Sequence, residues 1–191
     1  MAAMSADAQG VLAVVAMGES SGPQALAAAL EGARLVAVLT EAQDPGNAGT
    51  IIRAADAAGA DAVILLRGSV EATAPKVVRS TAGSLFHLPV ITGVGLEETV
   101  EAARAAGLTI LAADGRGDTD LFEAEGPAGS GGLLSAPSAW LLGNEAHGLA
   151  PEALPLADAV VAIPILGRAE SLNVASAAAL CLYASARAQR S

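Results

Sequence analysis

Polar side chains that could bind an anionic ligand lie in three stretches, each next to an apolar, strand-like run. The stretches are Gln43 to Arg53 (QDPGNAGTIIR), Leu141 to Leu149 (LLGNEAHGL) and Ile163 to Val174 (IPILGRAESLNV). They supply an arginine, a carboxylate, amides and a hydroxyl. Arginine can hold a phosphate through two parallel hydrogen bonds, which lysine cannot do. These residue types indicate a few specific polar contacts with a ligand.

The first stretch predicts a turn followed by a helix. Asp44-Pro45-Gly46 has the chemistry of a turn, and Asn47 is a good N-cap for a helix that starts at Ala48. Arg53 would lie about a turn and a half into that helix. It would be near the carboxyl edge of the sheet, where open α/β folds bind ligands. A capped helix with a solvated arginine explains the same residues equally well.

The second stretch runs from a buried strand into a loop. Gly143 permits a ligand to approach the backbone closely, and Glu145 places a carboxylate at the same sheet edge as Arg53. His147 could act as an acid or base, but no partner for it is evident. We interpret it as a loop residue.

The third stretch predicts a strand that ends at a proline, a glycine-containing loop and a long alanine-rich helix. Ser171 is expected at the N-cap of that helix, which is a sufficient structural explanation for a serine there. Asn173 lies between Leu172 and Val174 and is expected to be buried. A buried amide needs hydrogen-bond partners, so a functional role for Asn173 is harder to dismiss.

The rest of the chain alternates short apolar strands with alanine-rich helices. Such alternation predicts an α/β fold with a mostly parallel sheet and helices on both faces. The glycine-rich segment Gly126 to Gly132 is predicted to be a plain surface loop. Predicted strands are Val11 to Ala16, Leu35 to Leu39, Ala62 to Leu66, Leu88 to Ile91, Thr109 to Ala112, Trp140 to Leu142 and Val160 to Ile163. Predicted helices are Gln24 to Leu30, Gly49 to Ala58, Pro75 to Thr81, Leu96 to Ala106 and Leu172 to Arg187.

A length of 191 residues predicts one domain, which we place at residues 34–191, with residues 1–33 as an arm or linker remnant. The net charge of -10 argues against wholesale electrostatic capture of a polyanion, so any RNA must meet a local basic patch or a separate domain. Cys181 has no cysteine partner and is expected to be a small buried hydrophobe. We expect no metal, no membrane span and a cytoplasmic location.

One competing motif is Gly18-Glu19-Ser20-Ser21-Gly22, which matches the G-x-S-x-G elbow of serine hydrolases. An elbow strand needs neighbouring strands and an oxyanion-hole loop, and only ten residues precede Val11. A flexible linker before Pro23 is the simpler interpretation.

Taken together and in order, the three stretches resemble the motifs of SpoU-type (TrmH-like) RNA 2′-O-ribose methyltransferases, a branch of the SPOUT superfamily. The matching segments are DPGNAGTIIR, LLGNEAHGL and IPILGRAESLNVASAAAL, and KVVRSTAGSLFHLPV resembles the family's middle segment. The resemblance extends from about Gly10 to the C-terminus. It implies a C-terminal trefoil knot, which the physics of the sequence would not propose because knots are very rare.

The resemblance also implies S-adenosyl-L-methionine as cofactor, ribosomal or transfer RNA as substrate, and a homodimer formed around the last helix. Backbone groups at Gly143, Ile163 and Leu172 would hold the adenine. The residues that match the family's polar catalytic set are Asn47, Arg53, Glu145, Ser171 and Asn173.

Our hypothesis is that Arg53 binds the substrate phosphate and the 2′-oxygen. Glu145 and Asn47 would hold the Arg53 guanidinium in place. Ser171 and Asn173 would fix the loop and the substrate. Arginine is hard to deprotonate, so we favour stabilisation of the developing alkoxide over general-base action. A non-catalytic module that binds cofactor or RNA is the alternative. Many family members carry an N-terminal RNA-binding domain for which this chain has little room, so we expect its RNA binding to be weak and salt-sensitive.

Overall fold

The computed structural model describes residues 14–15, 20–126, 132–144 and 148–190. Strands and helices alternate along most of these residues, as predicted. Two pairs of consecutive strands have no α-helix between them, and the strand Thr119–Asp120 was not predicted. Of the predicted strand from Val11 to Ala16 only Val14 and Val15 are described, and they have no regular secondary structure; the rest of that segment and most of the loop from Gly126 to Gly132 lie outside the described residues. The elements are α1 (Gly22–Leu30), β1 (Leu35–Leu39), α2 (Pro45–Ala58), β2 (Ala62–Leu66), α3 (Pro75–Ser80), β3 (Val90–Val94), α4 (Leu96–Ala105), β4 (Thr109–Ala113), β5 (Thr119–Asp120), α5 (Leu121–Ala124), β6 (Ser138–Leu142), β7 (Ala159–Ala162) and α6 (Val174–Ala188).

The strands of the described residues form one seven-stranded sheet in the order β3-β2-β1-β6-β4-β7-β5. Every pairing in that sheet is parallel, which confirms the predicted fold class. All five residues of β1, β2 and β6 are buried. Their side chains alternate between the two faces, and both faces are covered, so these strands are apolar throughout. The trefoil knot stays a prediction.

Helices cover both faces of the sheet. The α2, α3, α5 and α6 helices share one apolar cluster with one face, and α1 and α4 share a second cluster with the other. The fully buried Trp140 of β6 donates a hydrogen bond from Nε1 to Oγ of Ser185 on α6, at 2.9 Å. This bond fixes α6 against the strand that leads into the second motif. Cys181 of α6 is buried as expected, and burial raises the pKa of its thiol to about 12.

The predicted helix in residues 24–30 is present as α1, which buries Leu26 and Leu30 in the same cluster as β1 and β2. The family-like domain boundary at residue 34 stays a prediction. Strand β3 spans Val90–Val94 and so begins and ends later than the predicted Leu88 to Ile91. It begins after Pro89 because proline has no backbone N–H to donate to a neighbouring strand; the Pro89 carbonyl only accepts a hydrogen bond from the N–H of Val63. No helix of the described part of the chain is long and apolar enough to cross a bilayer.

The start of α2 differs from the prediction. Asp44 is the N-cap, and its Oδ1 accepts the backbone N–H of Asn47 at 2.8 Å. The helix begins at Pro45 and not at Ala48, because proline at the first helical position has the right φ and lacks the N–H that would go unpaired there. Asn47 therefore lies inside the first turn of α2 with its side chain available for another contact.

Candidate active site

A cavity of about 480 Å³ lies where the carboxyl ends of β6, β4 and β7 meet the start of α6. These strands are neighbours in the sheet, so the loops that follow them converge at one edge. That edge is where open α/β sheets bind ligands. The cavity is lined by Ala113, Asp114, Gly115, Gly143, Asn144, Gly148, Val161, Ile163, Ile165, Glu170, Ser171, Leu172, Asn173, Val174 and Ala177.

Gly143 allows the second-motif loop to fold back on itself. Asn144 and Gly148 exchange two backbone hydrogen bonds of 2.9 Å, which close the loop. A Cβ at Gly143 would lie 2.2 Å from the carbonyl carbon of Gly148 and 2.4 Å from the nitrogen of Leu149. The close approach that the sequence predicted at Gly143 is therefore made by the protein's own backbone. The predicted site residue Glu145, and His147, lie outside the described residues.

The third stretch forms one wall of the cavity. Ile163, Ser171 and Leu172, all predicted site residues, line it together with Gly143. Between β7 and α6 the chain has no regular structure, and the backbone groups of residues 164–172 make no hydrogen bond to another described main-chain group. These backbone N–H and C=O groups can therefore form hydrogen bonds with a ligand. A ligand bound in the cavity needs such partners for its own polar atoms.

Two expectations for this wall were wrong. Asn173, and not Ser171, is the N-cap of α6: its Oδ1 accepts the N–H groups of Ala175 at 2.9 Å and Ser176 at 3.4 Å. Asn173 is also exposed and not buried. Serine and asparagine cap equally well, so the choice depends on where the chain turns into the helix, and it turns two residues later than predicted.

Asn173 connects the third motif to the first. Its Nδ2 donates a hydrogen bond to Oδ1 of Asn47, at 3.1 Å. This bond joins the N-termini of α2 and α6, which pack against each other along their lengths. Two predicted site residues, 126 positions apart in sequence, are thus in direct contact.

Arg53 lies on the exposed face of α2, about 9 Å along the helix axis from Asn47, and does not line the cavity. Its side chain makes no hydrogen bond or ion pair with any other described residue, so the expected Asn47–Arg53 contact is not formed. Two further exposed cations, Lys76 and Arg79, lie on α3. The α2 and α3 helices pack closely, since a Cβ at Gly49 would lie 2.4 Å from Cβ of Ser80.

The three motif stretches do not include the loop after β4, where Asp114 and Gly115 line the cavity. The Asp114 side chain is only 8% exposed and forms an ion pair with Arg116. The hydrogen bonds from the Arg116 side chain lower the pKa of the Asp114 carboxyl below its ordinary range, against the effect of burial. The signal was present: an Asp-Gly pair follows a buried strand of the same sheet, as Gly143-Asn144 does.

The serine-hydrolase alternative gains no support. Within the part of the chain that the structure describes, Ser20 and Ser21 contact Thr92 of β3 and no histidine. His87 is held by Asp56, at 2.7 Å from Nδ1 to Oδ2. The described residues also contain no group of three or more His, Cys, Asp or Glu placed to hold a metal ion.

We compared the chain with known protein families. The model of the SpoU rRNA Methylase family matches residues 34–183, which include all three motif stretches. The chain belongs to the SpoU rRNA methylase family.

Among relatives of this SpoU family member is the 23S rRNA (uridine(2479)-2′-O)-methyltransferase of Streptomyces viridochromogenes. It is 40% identical over 148 residues, which are 75% of this chain and 49% of that protein. The 23S rRNA (guanosine(2553)-2′-O)-methyltransferase RlmP of Bacillus subtilis is 37% identical over 175 residues, 88% of this chain and 67% of that protein. The chain thus spans about half to two thirds of the length of these relatives.

Solved structures show the same fold. The SpoU methyltransferase AviRb from Streptomyces viridochromogenes, in complex with the cofactor AdoMet, superimposes with a TM-score of 0.70 at 38% identity. The superposition covers 82% of this chain and 60% of that one. The AdoMet-bound rRNA methyltransferase from Sinorhizobium meliloti gives a TM-score of 0.70 at 36% identity, over 81% of this chain and 56% of that one.

Proposed function

We propose that this chain transfers a methyl group from S-adenosyl-L-methionine to a ribose 2′-hydroxyl of ribosomal or transfer RNA. The observation that carries the proposal is the single site built from the three motifs: the second and third line one cavity, and the Asn47–Asn173 hydrogen bond attaches the first. The relatives named as 23S rRNA 2′-O-methyltransferases and the AdoMet-bound neighbours support the reaction and the cofactor.

The cavity suits this cofactor in size and chemistry. Its volume of about 480 Å³ falls within the roughly 300–1,000 Å³ of typical ligand sites. Ile163, Leu172 and Val174 offer an apolar surface for an adenine ring. Backbone groups of residues 164–172, which make no hydrogen bond to the main chain of another described residue, and the backbone at Gly143 offer hydrogen bonds to its edge. Glu170, a carboxylate in the lining, suits a cationic ligand.

The cofactor, when bound, would supply the electrophilic methyl group and leave as neutral S-adenosylhomocysteine. The protein's task is to position the ribose and to stabilise the negative charge that develops on the 2′-oxygen as its proton passes to water. We assign Arg53 to the substrate side, where its permanent positive charge stabilises the developing alkoxide. Asn47 and Asn173 hold α2 and α6 in register, and Ser171 stands at the cavity wall. Glu145 stays a predicted partner of Arg53.

A local basic surface supports RNA as the substrate. Arg53, Lys76 and Arg79 are exposed on the adjacent helices α2 and α3, in a chain with only 10 basic residues and a net charge of -10. Lys76 also forms an exposed ion pair with Asp44, at 3.4 Å. Phosphate contacts of this kind dominate nucleic-acid affinity and weaken with salt. We propose that this surface meets the RNA backbone, and that the protein acts in the cytoplasm, where the relatives' ribosomal substrates are found.

We also propose a homodimer around α6. Leu180 and Tyr183, one turn apart on α6, are 41% and 53% exposed, an apolar surface that a second copy could bury. Sedimentation of a Leu180→Asp variant should show the monomer where the wild type is a dimer. Ala27→Asp, a change at an exposed position of α1, which packs on the opposite face of the sheet, should leave the dimer intact.

The reaction is tested by replacing Arg53 with alanine and measuring single-turnover methyl transfer to 23S rRNA and tRNA transcripts. We expect the rate to fall about a hundredfold or more, as for removal of one charge-stabilising group, while cofactor affinity is unchanged because Arg53 does not line the cavity. Arg34→Ala, at the opposite edge of the sheet, is the matched control. A wild-type rate for Arg53→Ala would refute the assigned role. Cofactor binding by the wild type without transfer to any RNA would favour a non-catalytic module.

A further inference from the structure

The loop after β4 presents one carboxylate to the cavity in a fixed orientation. The backbone N–H of Asp114 donates to the carbonyl of Val161 at 3.1 Å, and its own carbonyl accepts the N–H of Gly117 at 3.0 Å. Gly117 lies against β7, since a Cβ there would be 2.5 Å from the carbonyl oxygen of Val160. The main chain at Asp114 is therefore held from both sides. Asp114 itself is among the residues that line the cavity.

Arg116 occupies most of the hydrogen-bonding capacity of the Asp114 carboxylate. Oδ1 accepts the backbone N–H of Arg116 at 2.9 Å and its Nε–H at 2.8 Å, and Oδ2 accepts the Nη2–H at 2.9 Å. An ionised carboxylate has about four acceptor positions, so one remains, on Oδ2. That oxygen lies beside Gly148, another lining residue, 3.9 Å from where a Cβ on Gly148 would stand.

The remaining acceptor position is suited to a neutral donor. The Arg116 guanidinium already balances the charge of Asp114, so the pair offers little net attraction to a cation. Glu170 is the other carboxylate of the lining and forms no ion pair with a described residue, so it is the better site for a positive group. A hydroxyl that points into the cavity would complete the acceptor set of Asp114.

We propose that Oδ2 of Asp114 accepts a hydrogen bond from a ribose hydroxyl of the bound cofactor, and that Arg116 is the positioning residue that orients the carboxylate. The inference rests on the proposed function, since it takes S-adenosyl-L-methionine as the ligand. It adds a residue to the cofactor site that the three motifs do not contain.

Binding of 5′-methylthioadenosine and S-adenosylhomocysteine, measured by calorimetry, tests the proposal because the first keeps the ribose and lacks the amino acid. Asp114→Asn should weaken both ligands by the same factor, about ten- to a hundredfold for a hydrogen bond to a charged group. Asp118→Asn, the same change on an exposed carboxyl of the same loop, should bind both like the wild type. Weaker binding of S-adenosylhomocysteine alone would place Asp114 at the amino acid and overturn the proposal.

A second comparison identifies the hydroxyl. In the wild type, either 2′-deoxyadenosine or 3′-deoxyadenosine should bind more weakly than adenosine, and in Asp114→Asn the difference should disappear. Persistence of the full difference in the variant would overturn the assignment. Thermal unfolding of each variant checks that the fold is retained.

Arg116 is tested through pH, with Asp114 intact. Because Arg116 lowers the pKa of the Asp114 carboxyl, Arg116→Gln should let that carboxyl take up a proton at a higher pH. As the pH is lowered from 7, affinity for 5′-methylthioadenosine should then fall at a higher pH in the variant than in the wild type, with partial rescue in Arg116→Lys. Level affinity in the glutamine variant would remove Arg116 from the proposal. A wild type that binds none of these ligands would refute the proposed cofactor itself, a different outcome from an Asp114→Asn variant that binds like the wild type.

Discussion

Replacing Asn173 by alanine removes the N-cap of α6 and, with it, the hydrogen bond to Asn47. Loss of a cap costs about 0.5–2 kcal/mol, and a neutral hydrogen bond contributes about 0.5–1.5 kcal/mol. We therefore expect the free energy of unfolding to fall by about 1–3 kcal/mol. Urea denaturation at neutral pH measures this free energy of unfolding. The control is Ser176→Ala, because Ser176 lies in the same turn of α6 and its side chain does not cap the helix.

Asn173→Asp separates the two contributions. The aspartate keeps an oxygen that caps α6 but has no N–H to donate to Asn47, so it should recover the capping part of the stability. A double-mutant cycle that combines Asn173→Ala with Asn47→Ala should show a coupling of about 0.5–1.5 kcal/mol between the two side chains.

Because residues 171–174 line the cavity, cofactor affinity should fall in Asn173→Ala more than in Asn173→Asp. An Asn173→Ala variant as stable as the wild type would refute the capping role. If Asn173→Asp loses as much stability as Asn173→Ala, the lost stability does not come from the cap.

Three further changes test the packing around the site. Gly143→Ala places a Cβ 2.2 Å from a main-chain carbon of its own loop, so we expect the single-turnover rate of methyl transfer to fall about a hundredfold. Gly167→Ala, where an added Cβ meets nothing within 4 Å, should have little effect, and equal losses in the two variants would refute the steric explanation. Ser185→Ala leaves the buried indole N–H of Trp140 without its acceptor and should lower stability in urea by about 1–3 kcal/mol; a loss below about 0.5 kcal/mol would show that the bond contributes little. Burial raises the pKa of Cys181 to about 12, so iodoacetamide at pH 8 should label it in urea and not in the native protein, and rapid native labelling would contradict its burial.

The strands and the converging edge were predictable because their signals are local. Strands β1 and β2 have the predicted bounds, since an unbroken apolar, β-branched run is what a strand buried on both faces requires. Gly143, Ile163 and Leu172 meet in one cavity because the carboxyl ends of neighbouring parallel strands share an edge.

The helix caps were less predictable. Asp44, Asn47, Ser171 and Asn173 are all competent caps, and the choice among them is made by the main-chain path, including the proline at the first position of α2. Asn173 was expected to be buried because its neighbours in sequence, Leu172 and Val174, are apolar. At the start of a helix, however, neighbouring side chains point in different directions from the side chain of the N-cap residue.

The strand order and the role of Asp114 depend on contacts distant in sequence. Strand β6 lies between β1 and β4, and β7 lies between β4 and β5, an order that no local pattern encodes. Asp114 followed by Gly115 reads as an ordinary turn. Its position beside Gly148, 34 residues later in the chain, makes it part of the cavity.

The most direct test of the central claim is the chemical position of the transferred methyl group. The protein is incubated with methyl-labelled S-adenosyl-L-methionine and separate ribosomal and transfer RNA pools, and the RNA is hydrolysed in alkali, which cannot cleave next to a 2′-O-methylated ribose because the 2′-oxygen is no longer free to attack. We expect the label to stay in alkali-resistant dinucleotides and, after enzymatic digestion, in a 2′-O-methylnucleoside. Label in mononucleotides that carry a methylated base would contradict it.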